Sequence, residues 1–290
     1  MKAFEGRTAV VTGAASGIGF ALAERFAQAR MNVVLADIEK NALDRAVKSL
    51  EERQHRVVGV VVNTMLKESV HDLARRAIDA FGKVHVLCNN AGVAAGSEAG
   101  KAVWELPDTD WEWVMGVNFY GVLYGLQAFV PHMLAHGEPG HVVNTASLAG
   151  LLPGGGPYSV SKHGVVALSE GLHRDLKLRN AAIRASVLCP GLVNTQIYDA
   201  ERNRPGRTGA SGADSPGAQQ MKAMLSGGKQ PAEVAQIVFD AIEAERFYVL
   251  PHPAWDGYLR STFDAVLARG APFSIDFEDM ARRRAAGEVF

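Results

Sequence analysis

Cysteine is scarce in this chain of 290 residues. There are two, Cys88 and Cys189, and each closes an apolar run. Two thiols without metal-type spacing exclude a disulfide framework and a structural zinc site, and read as reduced and buried. Neither sign of charge is in surplus: 30 Lys and Arg face 31 Asp and Glu, for a net charge of −1. That balance offers no basic surface to nucleic acid or to an anionic membrane. No apolar run approaches the ~20 residues that span a bilayer. The opening Met1-Lys2-Ala3-Phe4-Glu5-Gly6 lacks the apolar core of a secretory signal. These absences leave a small-molecule partner and a cytoplasmic location as the expectation.

What is present is a rhythm. Short β-branched runs at Thr8–Val11, Val33–Ala36, Val57–Val62, Val84–Cys88, His141–Thr145, Ile183–Cys189 and Phe247–Leu250 alternate with helical stretches. Nearly continuous apolar runs are the mark of strands covered on both faces. Between the first two, Ile18, Leu22, Phe26 and Ala29 recur at helical steps. The pattern predicts an α/β fold: one Rossmann-type doubly wound domain over 1–290, with a seven-stranded parallel sheet and helices on both faces. Residues 93–107 read as an irregular insertion. Residues 196–230 are rich in Gly, Pro, Ser and charge and read as a long stretch without regular structure, the form of a substrate lid. Within it Tyr198, Met221, Met224 and Leu225 could cover an apolar ligand, and glycines from Gly206 to Gly228 supply flexibility. Residues 251–290 form a helical extension ending in Arg282-Arg283-Arg284, read as a solvated helix end.

Thr12-Gly13-Ala14-Ala15-Ser16-Gly17-Ile18-Gly19 follows the first strand and opens the first helix. In that context Gly13, Ser16, Gly17, Ile18 and Gly19 form a turn whose free N–H groups, together with the helix N-terminus, face a pyrophosphate. The second strand ends at Asp37, where a carboxylate can accept hydrogen bonds from the adenosine ribose and repel a 2′-phosphate. A competing role for Asp37 is to cap the next helix. Ile38 and Thr64 are counted with the cofactor residues as neighbours of Asp37 and Asn63. NAD(H) is therefore expected over NADP(H).

Tyr158-Ser159-Val160-Ser161-Lys162 puts a phenol and an ammonium four apart on one helix face. A cation lowers a phenol's pKa from about 10 and fits it for proton transfer.

With these motifs in order, the chain resembles the short-chain dehydrogenase/reductase family (SDR) over at least residues 6–195. The resemblance implies further roles. Asn90-Ala91-Gly92 supports the sheet beside the adenosine. Asn118 joins Tyr158 and Lys162 in catalysis and holds a relay water. Ser147 binds the substrate oxygen. Pro190, Gly191, Val193 and Thr195 hold the nicotinamide carboxamide. Lys162 binds ribose as well as tuning the phenol. Two departures stand out. Ser147 precedes Tyr158 by 11 residues, a short interval, and Thr145 lies nearer the usual one; Ser147 is preferred because Leu148-Ala149-Gly150 follows it. Asn63 stands where many members carry an aspartate against the adenine, and its amide oxygen can accept the same bond.

The resemblance also implies a homodimer or homotetramer built on helices near 108–136 and 157–179, with Val165, Val166, Leu168 and Leu172 as a candidate face. The tail Phe247-Tyr248-Val249-Leu250-Pro251-His252-Pro253 looks like that of bacterial Cα-dehydrogenases acting on aryl ethers. His132 and His136, four apart, lack a third ligand and are read as a helix-end pair, so no metal is expected. Asn89 is read as structural, and Trp104, Trp111 and Trp113 as core or interface. The function expected is an NAD-dependent alcohol dehydrogenase or ketoreductase acting on a medium to bulky, apolar secondary alcohol or ketone. The alternative is a silent nucleotide-binding regulator on the same fold.

Overall fold

The computed structural model describes residues 1, 3–95, 101–206, 216–275, 282–283 and 286–287. Seven strands, β1 (Thr8–Thr12), β2 (Asn32–Asp37), β3 (Val57–Val61), β4 (Val86–Asn89), β5 (Gly140–Thr145), β6 (Ile183–Leu188) and β7 (Tyr248–Val249), pair in parallel in the order β3-β2-β1-β4-β5-β6-β7. All seven coincide with the apolar runs of the sequence.

Side chains alternate between faces along each strand. Ala9, Val11, Val33 and Leu35 meet α1 (Gly17–Gln28), α2 (Lys40–Glu51) and α8 (Pro231–Glu243) through Leu22, Phe26, Leu43, Leu50, Val238 and Phe239. Val10, Val34 and Ala36 meet α3 (Lys67–Phe81), α5 (Gly121–His136) and α6 (Pro157–Leu178) through Leu73, Phe129, Met133 and Leu176. Fully buried side chains such as Phe26 and Phe129 contribute roughly 1.5–3 kcal/mol each to folding. The strand order reverses between β1 and β4, which opens a crevice at the carboxyl ends of these strands.

The helix Asp108–His136 is long and apolar enough by length and composition to cross a membrane, contrary to the sequence reading. Here Phe129 and Met133 bury it against the sheet. It contains α4 (Asp108–Met115), a π-turn at Gly116–Tyr120 and α5.

The segment 196–230 is not structureless. Its described residues hold a 3-10 turn at Ile197–Asn203, then α7 (Pro216–Ser226), and Lys229 bridges to Val193. Gly228 serves close approach rather than flexibility, since a Cβ there would lie 2.5 Å from the Leu192 carbonyl. Gly209 and Gly212 lie outside the described residues. In the extension, α9 (Asp256–Leu267) packs Tyr258 and Leu259 inward. Arg283 is no solvated helix end: it donates to the Tyr258 hydroxyl and the Ala254 carbonyl. Arg284 lies outside the described residues.

Other expectations resolve locally. His132 and His136 bond the Val84 main chain, as a helix-end pair does. Asn89 donates to Asn144 inside the core. Trp113 is buried, but Trp104 is 84% exposed and so is not core. Val165 and Val166 turn to the chain's own interior beside Val187 and Cys189, so the proposed interface face does not include them. Both thiols are free and buried.

Candidate active site

The glycine turn owes its shape to contact. A Cβ on Gly19 would lie 2.0 Å from the Gly13 carbonyl, and one on Gly13, already at φ +66°, would lie 2.9 Å from the Ala91 Cα. Only glycine lets the turn from β1 into α1 fold so tightly against Asn90-Ala91. Thr12 locks the neighbour in place: its hydroxyl accepts from the Asn90 and Ala91 N–H groups, and its carbonyl accepts from Asn90 Nδ2. The result is a backbone cradle at a helix N-terminus, which fits a dinucleotide pyrophosphate.

At the end of β2, Asp37 does not itself cap α2, whose N-cap is Glu39, but its carboxylate braces the chain on both sides. Oδ1 accepts from the Glu39 N–H at 3.0 Å, which braces the entry to α2, and Oδ2 accepts from Ala15 at 2.9 Å, across the glycine turn. A carboxylate has about four lone-pair positions, so each oxygen keeps one for a ribose hydroxyl. Burial pushes its carboxyl above the usual value, and the two N–H donors oppose that. Asn63 Oδ1 accepts from Met65 N–H at 3.0 Å.

At the other end, β5 runs into Ser147, whose Oγ accepts from Ala149 N–H and lies 3.4 Å from the Pro190 carbonyl. Gly150 then packs so closely on α6 that a Cβ would meet the Lys162 carbonyl at 2.6 Å. This contact seats the Ser147 turn on the first turns of α6. Pro157 opens that helix, placing Tyr158 on the cleft wall and Lys162 one turn behind. Lys162 is buried and donates to the Thr145 carbonyl at 3.0 Å; desolvation pushes its ammonium down to about 8. Its Nζ lies 5.6 Å from the centre of the Tyr158 ring. The Thr145 hydroxyl points instead to Asn90 Oδ1 at 3.4 Å.

Asn118 sits in the π-turn and does not line the cleft. Its side chain bonds both main-chain groups of Val93 and the Ser161 hydroxyl, and Ser161 in turn donates to the Tyr158 carbonyl. Both Nδ2 hydrogens and one lone pair of Oδ1 are thus engaged away from the cleft. A π-turn is a common device for redirecting main-chain groups at functional sites.

One cleft of about 390 Å³ joins these parts. It is lined by Gly13, Ser16, Gly17, Ile18, Asp37, Ile38, Asn63, Thr64, Asn90, Ala91, Gly92, Ser147, Tyr158, Lys162, Pro190, Gly191, Val193 and Thr195. Gly19 stands behind the turn. The sequence reading missed several lining residues. Trp255 comes from the tail and Trp113 from α4; Leu152 lies in 148–157, a segment the sequence does point to for substrate. Tyr198, Met221 and Leu225 do line the cleft, whereas Met224 packs beneath with Trp255. Arg202 and Asn203 both bond the Glu39 carboxylate, tying the turn Ile197–Asn203 across to the residues after β2. Arg202 holds Glu39 below the ordinary carboxylate range. Arg204 is likewise paired, at 2.6 Å from the buried Asp110. Arg207 lies outside the described residues.

The model of the short chain dehydrogenase family matches residues 7–206, which span the glycine turn, Tyr158, Lys162 and the Pro190–Thr195 segment. The chain belongs to that family. This short-chain dehydrogenase is an oxidoreductase by that membership, with a seven-stranded Rossmann-type sheet. A 1-deoxy-11-beta-hydroxypentalenate dehydrogenase of Streptomyces arenae is 38% identical over 267 residues, covering 90% of this chain and 87% of the relative. A C alpha-dehydrogenase of Sphingobium sp. is 32% identical over 288 residues, covering 98% and 92%. A short chain dehydrogenase/reductase from Burkholderia phymatum, solved in complex with NAD, superposes with a TM-score of 0.89 at 41% identity, covering 95% of this chain and 99% of that one.

Proposed function

We propose that the protein interconverts a secondary alcohol and a ketone with NAD(H), using Tyr158 as the proton-transfer group. The observation that carries this reading is Tyr158 on the cleft wall with the buried Lys162 one helical turn behind it. The bound nicotinamide supplies or accepts the hydride. In oxidation the substrate hydroxyl, held by Ser147, gives its proton to the Tyr158 oxygen; in reduction the Tyr158 hydroxyl returns it. The Lys162 ammonium favours the phenolate and reaches the ribose.

The substrate class follows from the charges. The charged side chains among the described lining residues are Asp37, Glu39, Arg202 and Lys162. Three of them gather beside the end of β2, where Arg202 of the turn Ile197–Asn203 pairs with Glu39, and the fourth stands behind Tyr158. The wall made by Trp113, Leu152, Tyr198, Met221, Leu225 and Trp255 carries none. It fits a medium to bulky, apolar alcohol or ketone, aryl or alicyclic, covered by residues 196–230 as a lid. Oxidation of 2-propanol, cyclohexanol, 1-phenylethanol and a steroid alcohol, followed by NADH absorbance, checks this. The bulkier members are expected to give the highest kcat/KM. A maximum at 2-propanol or at a charged hydroxy acid would overturn the substrate class, and no NADH from any alcohol would overturn the reaction.

We further propose a homodimer or homotetramer paired through α5 and α6. Leu134 (37% exposed) on α5 and Val160 (40% exposed) on α6 leave apolar surface on these helices. Light scattering at micromolar protein is expected to give at least twice the chain mass, and a monomer refutes the pairing.

A further inference from the structure

The tail motif ending in His252 and Pro253 is not used by the chemistry above, yet it bonds the Gly191–Leu192 segment that lines the cleft. His252 is 1% exposed. Its Nδ1 accepts from the Gly191 N–H at 3.0 Å, and its Nε2 lies 3.0 Å from the Leu192 carbonyl. An N–H that needs an acceptor at Nδ1 assigns the neutral tautomer with the proton on Nε2, which then donates to Leu192. One ring thereby fixes two consecutive peptide groups of the segment after β6.

That segment has little freedom left. A Cβ on Gly191 would lie 2.9 Å from the Trp255 indole nitrogen and 3.2 Å from His252. The Leu192 carbonyl also accepts from Lys229 N–H, and Asn194 N–H donates to the Lys229 carbonyl. Upstream, the Pro190 carbonyl accepts from Leu148 N–H beside Ser147. Beside the Trp255 contact, the His252 ring is the hydrogen-bonded link from the C-terminal extension to the backbone of Gly191 and Leu192.

We propose that His252 is a positioning residue for hydride transfer. It clamps the Gly191–Leu192 backbone that forms the nicotinamide end of the cleft, so the C-terminal extension is part of the catalytic apparatus. This rests on the dehydrogenase reading. The clamp acts only at the nicotinamide end; the adenosine end depends on Asp37 and the glycine turn.

The test compares three proteins and two ligands. H252L keeps bulk and loses both hydrogen bonds. H252N keeps an acceptor at the Nδ1 position for Gly191. NADH binding is read by fluorescence titration, ADP-ribose binding by calorimetry, and turnover by NADH absorbance. Displacing a reacting group by about an ångström costs on the order of 10²-fold in rate. H252L is expected to lower kcat by roughly 10–100-fold and to weaken NADH binding, with ADP-ribose affinity unchanged. H252N is expected to recover most of the loss. Should H252L fail to fold, H252Q, which keeps the donor to Leu192 and loses the acceptor for Gly191, takes its place. Wild-type values for NADH and kcat in H252L or H252Q overturn the proposal. So does an equal loss of NADH and ADP-ribose affinity, which marks a general structural role. A wild-type protein that fails to bind NADH overturns the dehydrogenase reading instead.

Discussion

Replacing Tyr158 with Phe is expected to cut turnover by about 10²–10⁴-fold, the usual worth of a positioned acid–base group. NADH binding should remain near wild type, because the ring keeps its place at the start of α6 and only the hydroxyl is removed. Lys162→Ala should damage both binding and turnover. Its ammonium is buried, donates to Thr145 and stands behind the Tyr158 ring. With its ammonium pushed down to about 8, Lys162 is charged at neutral pH and able to favour the phenolate, and it loses that charge above pH 8. Fluorescence titration of NADH beside single-turnover absorbance separates the two effects. Near-normal turnover in Tyr158→Phe would remove Tyr158 from the mechanism.

The second large effect concerns cofactor choice. Asp37→Ala is expected to weaken NADH binding by about 10–100-fold, since hydrogen bonds to a charged group contribute about 1.5–3 kcal/mol each. The same change removes the carboxylate that would face a 2′-phosphate, so NADPH should lose nothing and gain relative to NADH. Adding Ile38→Arg should invert the preference. Ile38 is 41% exposed at the cleft, so an arginine there needs no space in the core. Arg202 does not already supply that charge, because Glu39 and Arg202 neutralise each other. Wild-type protein that uses NADPH faster than NADH at low concentration contradicts the role given to Asp37. Retention of wild-type NADH affinity in Asp37→Ala does so as well.

Much of this protein is set by local order along the chain. Each β-branched run became a strand because an apolar run buried on both faces has no other stable place than a parallel sheet between helices. The glycine turn and the Tyr158–Lys162 pair were legible for the same reason. Their chemistry depends on spacings of a few residues within one turn or one helix, and those spacings are written in sequence. Val165 and Val166 show the limit of such reasoning. Their apolar character marks a buried face, and only packing tells whether the chain's own sheet or a partner covers it.

Tertiary structure decided what spans long separations. Arg202 meets Glu39 across 163 residues and His252 meets Gly191 across 61, and no periodicity encodes either contact. The segment 196–230 shows the same division. Its composition reads as loop, but apposition to Val193 and to the cleft gives the 3-10 turn, α7 and the Lys229 bridge surroundings that polar spacing does not reveal. The sequence by itself determined the sheet, the glycine turn and the Tyr158–Lys162 pair on one helix face, because these arise from neighbours in the chain. Which residues of the tail and of 196–230 line the cleft was decided only by tertiary structure, because it depends on where the strand order brings distant segments together.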